Sequence, residues 1–422
     1  MIASLLKKRT FLPIFLTQFF GAFNDNAFKL AMLTLISYHL SASQDQSEQY
    51  QVMASALFIM PFFFLSAIAG QLADKFDKAR MVRCIKTFEV FLMLIGGLGL
   101  YFGNIVLLMA TLTGLGVHST MFGPIKYAIL PDHLPKSKLV GATALIESST
   151  FLAILFGTIF GTLCIGGVGE GTRYAFLLTT LIAILGLLAS CYIPPAPSKT
   201  MDLTVDWQVW RSTYRIMKEV HGMPKRRLVI YALSWYWLVG TVFLIKLPDY
   251  TNFVLHGDPS VFAVFLALFS IGVGSGSLTI NRILRDGLSL RFVPYSMLLL
   301  SIFAVDLYIA SPAVHDRAAL YAVGSFFLYA QHVRLAADLF FIAFSGGLFA
   351  VPLYAYLQIT SEASARARTI AANNIYNALF MVAGSLLVMC LLYFKLTITA
   401  VFLVIAILNA LAALSCAILL KL

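Results

Sequence analysis

The sequence predicts an all-α polytopic membrane protein with twelve transmembrane helices in two six-helix bundles, and three observations carry that prediction. The 422 residues are 60% hydrophobic and only 12% charged, against roughly 45 to 50% apolar and about 25% charged in soluble domains. Twelve apolar runs approach the roughly 20 residues needed to cross hydrocarbon; they fall at about 11–39, 51–72, 82–102, 104–130, 139–167, 173–193, 228–255, 260–281, 292–311, 334–358, 368–394 and 397–420. The third observation is a repeat: Phe122–Pro131, F-G-P-I-K-Y-A-I-L-P, is echoed by Ala350–Gln358, A-V-P-L-Y-A-Y-L-Q, when Pro124 is set on Pro352, a shift of 228 residues. A duplicated bundle therefore occupies residues 1–193 and 228–422, joined by a cytoplasmic linker at 194–227.

In chain order, Lys7, Lys8 and Arg9 precede the first span. The apolar run behind them is about twice as long as a signal-peptide core and contains charges, so an uncleaved first span is expected. The 30 Lys and Arg outnumber 19 Asp and Glu, for a net charge of +11. Of these basic residues, 23 fall at the termini, in the linker and in loops 2–3, 4–5, 8–9 and 10–11. That asymmetry predicts both termini in the cytoplasm and argues against a nucleic-acid partner. Arg282 and Arg285, within Gly276–Gly287, read as topology determinants of the same kind. The cysteines lie in or beside apolar spans without C-x-x-C spacing, so neither a metal site nor a disulfide framework is expected, and no cofactor is implied.

Pro194, Pro195 and Pro197 end the sixth span. Beyond them Trp207, Trp210, Tyr214 and Met217 recur at helical intervals, while Arg211, Arg215 and Lys218 take another face. This predicts an amphipathic helix on the anionic inner leaflet, or else a plain tie between bundles. The stretch 312–333 is apolar but too short to cross comfortably, and is expected at the surface or re-entrant.

Charged groups inside spans mark the candidate sites, because each costs roughly 2.5 to 3.5 kcal/mol to insert unless it finds a partner or water. Lys126 sits inside an apolar run, and its counterpart in the second half is Tyr354. Asn24, Asp25 and Asn26 interrupt the first span, with Lys29 four residues beyond Asp25, so either a cavity-facing Asp25 or an intrahelical pair is expected. Glu147 lies at a depth similar to Lys126 on the next helix, where a shared cavity or a structural salt bridge would each account for it. His118 is two turns from Lys126 and is either cavity-facing or satisfied locally. Lys246 and Asp249 flank Pro248, which predicts a broken helix lining a binding site or a helix-end pair. Glu89, Asp306 and Asp338 are acids in spans with no role assigned by the sequence.

The loop Gly70–Arg80, G-Q-L-A-D-K-F-D-K-A-R, resembles the loop 2–3 signature of the major facilitator superfamily, with Asp77 where a second glycine is usual. A position suited to glycine adopts unusual backbone angles, which Asp tolerates better than most residues. The resemblance implies a gating role for Gly70, Asp74, Lys78 and Arg80 at the cytoplasmic bundle ends, against the plainer reading of a positive-inside bias alone. Together with G-A-F-N-D-N-A-F-K (21–29), G-V-H-S-T-M-F-G-P-I-K-Y-A-I-L-P (116–131), E-S-S-T-F-L-A-I-L-F-G-T (147–158) and F-S-I-G-V-G-S-G-S-L (269–278), the loop is similar to the lysophospholipid transporter family, closest to the transporter halves of transporter/acyltransferase fusions.

That resemblance implies movement of lysophosphatidylethanolamine-type lipid from the outer to the inner leaflet of the bacterial inner membrane. A separate acyltransferase and acyl-acyl-carrier-protein synthetase would then reacylate it. It implies a polar path through Asp25 and Lys126, with Lys246 on a looser alignment; Asn24, Asn26, Glu147 and His118 join as further substrate-binding candidates. A zwitterionic head fits such a path, since its phosphate wants a lysine and its ammonium a carboxylate. The alternative is a proton-coupled exporter of drugs or small metabolites. An enzyme is not expected: no histidine is followed by aspartate at H-x4-D spacing, and no G-x4-G-K-[ST] loop exists.

Overall fold

The structure, a computed structural model, describes residues 2–166, 170–284, 287–312 and 320–420. Arg285 lies outside the described residues. Among them, twelve helices of 19 residues or more appear: α1 Leu12–Leu35, α2 Gln44–Lys75, α3 Lys78–Phe102, α4 Ile105–Ala128, α5 Lys136–Gly166, α6 Gly171–Cys191, α7 Pro224–Asp249, α8 Pro259–Ile283, α9 Phe292–Ala310, α10 Ala330–Thr360, α11 Arg366–Tyr393 and α12 Ile398–Leu420. Eleven of them are apolar enough to be recognised as spans by hydropathy alone. The other is α1, whose Gln18, Asn24, Asp25, Asn26 and Lys29 dilute its mean hydropathy.

Local sequence explains where these helices begin and end. Ser43, Asp77, Asn104 and Asp258 each accept a backbone N–H from the first turn of α2, α3, α4 and α8. Gly103 closes α3 at φ +61°, a left-handed cap that glycine adopts without strain. Asp77 corrects the sequence reading: its φ of −61° is ordinary, so no special backbone angle is required there. The residue is present as a cap, accepting from Arg80 N at 2.8 Å and from Ala196 N at 2.8 Å.

The chain divides into two compact units, one of Met1–Ala142, Leu152–Met223 and Leu357–Ile375, the other of Thr143–Phe151, Pro224–Tyr356 and Tyr376–Leu422. Within the first, Phe28, Met32, Leu92, Met93, Leu112 and Leu115 form an apolar core. Gly157 and Gly161 let α5 lie directly on α1: a Cβ at these positions would sit 2.3 Å from Phe23 O and 2.2 Å from Ala27 O. Where lipid tails are as apolar as side chains, such small-xxx-small contacts hold helices together by close packing.

The linker carries its own helix, Val209–His221. Ser212, Ile216 and Val220 bury one face against α2, where Ser212 and Gln71 hydrogen bond. Trp207, Trp210 and Tyr214 stay exposed, with Trp210 edge-on to Phe64. Arg211 and Arg215 both reach Asp206, at 3.3 and 3.0 Å. The helix thus has three faces where the sequence suggested two, since a pattern that shows aromatic and basic stripes says nothing of which side is covered.

In the second unit, Gly276 of α8 meets Phe344 O of α10, where a Cβ would be 2.0 Å away. The segment after α9 caps this unit: Tyr321 N donates to His256 O at 2.7 Å and Asp258 N to Tyr321 O at 2.9 Å, and a single turn at Val323–Phe326 buries Phe326. Within the predicted stretch 312–333, residues 313–319 lie outside the described residues. Asn409 is buried on α12, accepting from Trp235 Nε1 of α7 at 2.9 Å and donating to Met297 O and Ser301 Oγ of α9 at 2.7 and 2.9 Å. Asn409→Ala removes partners from the buried Met297 carbonyl and Ser301 hydroxyl and from the half-buried Trp235 indole, at about 1 to 3 kcal/mol for each buried group left unsatisfied, and is expected to lower the apparent Tm in detergent by more than Leu411→Ala on the exposed face.

Candidate functional site

Three helices of the first unit converge on one buried carboxylate. Glu89 of α3 has no exposure. Its Oε1 accepts from Asn24 Nδ2 of α1 at 3.0 Å. Its Oε2 holds the Lys86 ammonium at 2.6 Å and lies 3.3 Å from His118 Nε2 of α4. Lys86 and Glu89 meet because residues three apart share a helix face. The ammonium also lies 5.3 Å above the centroid of Phe122, on which the His118 ring stacks. Gly21 keeps this space open, since a Cβ there would stand 2.5 Å from Lys86 Nζ.

Asp25 adjoins the cluster. Its Oδ2 accepts from the Ser119 hydroxyl, and its Oδ1, 3.8 Å from His118 Nδ1, has no donor; the side chain is 15% exposed. His118 therefore stands between two carboxylates. A neutral imidazole has one N–H to offer them and an imidazolium has two.

The remaining sequence candidates disperse. Asn26 does not join the cluster: its Nδ2 donates to Ala22 O of its own helix at 2.8 Å, which removes its need for a distant partner. Asp25 is engaged by Ser119, whereas the Lys29 ammonium lies 5.8 Å above the Phe58 ring. Lys126 is half-buried, 4.7 Å above the ring of Tyr127. Glu147 is buried in the α5 segment that belongs to the second unit and acts electrostatically on Tyr236. Lys246 pairs with Asp249 at 2.7 Å. Pro248 does not break α7 there; the helix runs to Asp249 and widens into one π-helical turn, Tyr250–Val254.

The Gly70–Arg80 loop forms a second constellation, also inside the first unit. Asp74 is buried and accepts from Ala367 N at 3.0 Å, Arg368 N at 3.2 Å and Arg368 Nε at 3.1 Å. A carboxylate from α2 thus occupies the anion site that every helix N-terminus offers, here that of α11. Gly70 permits the approach, because a Cβ would lie 2.6 Å from Ala371 Cβ and 2.9 Å from Arg368 Cα. Lys78 reaches Asp132 at 3.0 Å, and Arg366 reaches the same carboxylate at 3.3 Å. Arg80 stands outside this network; its side chain is exposed and only its backbone N–H is engaged.

Sequence reasoning missed Lys86, Asp132, Arg366 and Arg368, and left Glu89 without a role. Lys86 and Glu89 were legible as an i,i+3 pair inside an apolar run; the partners of Asp74 were not, since nearly 300 positions separate them (|i−j| = 294).

At the position equivalent to Lys126, the second unit has a neutral bond. Tyr354, the counterpart of Lys126, accepts from Trp237 Nε1 at 2.9 Å, and Ser234 bonds Asn377 at 3.0 Å. Beside them Phe151, Tyr236, Gly240, Phe269, Leu300 and Met381 line an apolar cavity.

Two outcomes follow. Lys86→Ala leaves Glu89 buried without its cation and is expected to cost about 3 to 5 kcal/mol, with Lys86→Met/Glu89→Gln recovering much of the loss in thermal unfolding of the purified protein. Asp74→Ala is expected to lower the apparent Tm and to speed proteolysis at Ser361–Ala365, the turn ahead of the helix end it caps.

The sequence profile of the Major Facilitator Superfamily matches residues 14–317. The chain is 26% identical over 351 residues to the lysophospholipid transporter LplT of Enterobacter sp. (strain 638), covering 81% of this chain and 78% of that one. Against LplT of Escherichia coli O157:H7 it is 27% identical over 354 residues, covering 82% and 79%. Its fold is similar to the human organic anion transporter MFSD10 (TETRAN), with a TM-score of 0.75 at 14% identity over 98% of this chain and 99% of that one. It is also similar to the E. coli fucose:proton symporter FucP, with a TM-score of 0.69 at 11% identity over 98% and 99%. The twelve long helices, the Asp74 loop and these matches together place the chain in the major facilitator superfamily.

Proposed function

We propose that this protein is a lysophospholipid transporter that moves lysophosphatidylethanolamine-type lipid from the outer to the inner leaflet of the bacterial inner membrane, with both termini cytoplasmic. The lipid is then reacylated by a separate acyltransferase. The observation that carries the reading is Asp25 Oδ1, a buried carboxylate oxygen at the depth of a span with no protein donor, on a side chain that is itself 15% exposed. An incoming ethanolamine ammonium supplies that donor. The head's phosphate then needs a cation, and Lys126 serves it from α4.

Asn24 and His118 hold the carboxylates in place; within the second unit, Glu147 and Lys246 are separate candidates for polar contact with the substrate. The apolar cavity suits part of an acyl chain. Gly70, Asp74 and Lys78, with Arg80 at the edge, act as the gate. Relatives that are lysophospholipid transporters, similar over about four-fifths of the chain, support the substrate class.

The test is uptake of labelled lysophosphatidylethanolamine into proteoliposomes. Asp25→Asn and Lys126→Ala are each expected to reduce it about 10- to 100-fold, the value of one charge-assisted hydrogen bond, with monodisperse, folded protein. Wild-type protein that moves no lysolipid but carries a soluble cation along a pH gradient would replace this reading with the exporter.

A further inference from the structure

The second unit contains an acid pair that the transport path above does not use. Asp306 lies near the C-terminal end of α9 and Asp338 two turns into α10. Arg334, one turn before Asp338, forks onto Asp306 through Nε at 2.9 Å and through Nη2. The carboxyls of Asp306 and Asp338 lie within hydrogen-bonding reach of each other. Asp338 is only 3% exposed, and its Oδ2 is buried with no donor.

Among the described residues, the donors at these helix ends have other partners. The Ser311 hydroxyl donates to Leu307 O at 2.6 Å, so the Tyr250 hydroxyl, 2.7 Å from Ser311 Oγ, spends its own hydrogen there. Gln331 Nε2 donates to Ala310 O at 2.6 Å. The His332 ring stacks on Phe326 with Nδ1 on the Phe326 carbonyl at 2.8 Å. Arg334 is occupied by Asp306. Two carboxyls in contact, with no donor between them, are both acceptors unless one carries a hydrogen.

We propose that Asp306 and Asp338 form a proton-binding site in which one proton, held between the two carboxyls and backed by Arg334, ties α9 to α10. Two carboxylates against one guanidinium leave a net negative charge, which a single proton cancels. A metal ion is the poorer occupant, because hard cations take six or more oxygens, and no group of three acidic, histidine or cysteine side chains gathers among the described residues. Losing the proton sets two anions against each other across the helix pair, so occupancy decides whether the tie holds. The site stands independently of which solute the protein carries.

Infrared spectroscopy of purified protein in nanodiscs tests this without substrate. Wild-type protein is expected to show a protonated-carboxyl C=O component that fades as pH rises from about 5 to about 9 and is missing from Asp338→Asn and from Asp306→Asn. Because the folded state then binds one proton more than the unfolded chain at neutral pH, stability falls as pH rises through the titration of the pair. The wild-type apparent Tm should fall accordingly, while that of Asp338→Asn, whose amide donates permanently to Asp306, should lose this dependence. If Asp338→Asn does not fold, Asp306→Asn provides the same comparison. Superposable spectra for wild type and variants across this range would overturn the proposal, as would an apparent Tm that follows sodium concentration at fixed pH.

Discussion

An ionised side chain at the depth of a membrane span persists only where the protein replaces the water it has lost, and the first unit is arranged around one such replacement. Glu89 receives an amide from α1, an ammonium from its own helix and an imidazole edge from α4. Each partner constrains the element that supplies it: Gly21 is small because Lys86 needs the volume, and His118 stacks on Phe122 because its edge is directed at the acids. Exposed pairs are worth about 0 to 1 kcal/mol, whereas removing one partner of a buried pair costs about 3 to 5. By that measure the Lys86–Glu89 contact fixes three helices, while the exposed Arg173–Glu170 pair fixes nothing of consequence.

The two halves meet the same constraint by different chemistry. Where the first unit has Lys126, the second has Tyr354 bonded to the Trp237 indole; Ser234 with Asn377 and Trp235 with Asn409 complete a set of neutral pairs. Neutral pairs avoid ion desolvation and leave the surrounding surface apolar, which is the character of the cavity beside them. At the position where the first unit carries Lys126, the duplicated scaffold thus carries a neutral pair beside an apolar cavity.

The Asp74 loop shows how a short motif acquires its meaning. Its aspartate binds the first turn of α11, so charge, helix dipole and backbone donors all act at one point. Lys78 and Arg366 then share Asp132, which makes the arrangement a network of alternating charge. Because Leu357–Ile375 is grouped with the first unit, these bonds are part of that unit's own packing. They also bring a segment of the second repeat into it.

The sequence by itself determined the helices. Apolar runs of span length, prolines after α6, caps at Ser43, Asn104 and Asp258 and the echo of Phe122–Pro131 at Ala350–Gln358 all act over a few residues, and such short-range rules survive translation into coordinates. It also marked Asp25, Asn24, His118 and Lys126 as costly, because an ion in an apolar run is conspicuous wherever it points. Only the tertiary structure decided which of these ions meet. Asn24 reaches Glu89 while Asn26 turns back on its own helix, two positions away, because a side chain's partner depends on the rotation of its helix against neighbours dozens or hundreds of residues distant. That rotation is set by close-packed contacts such as Gly157 and Gly161 on α1, and no local pattern encodes it.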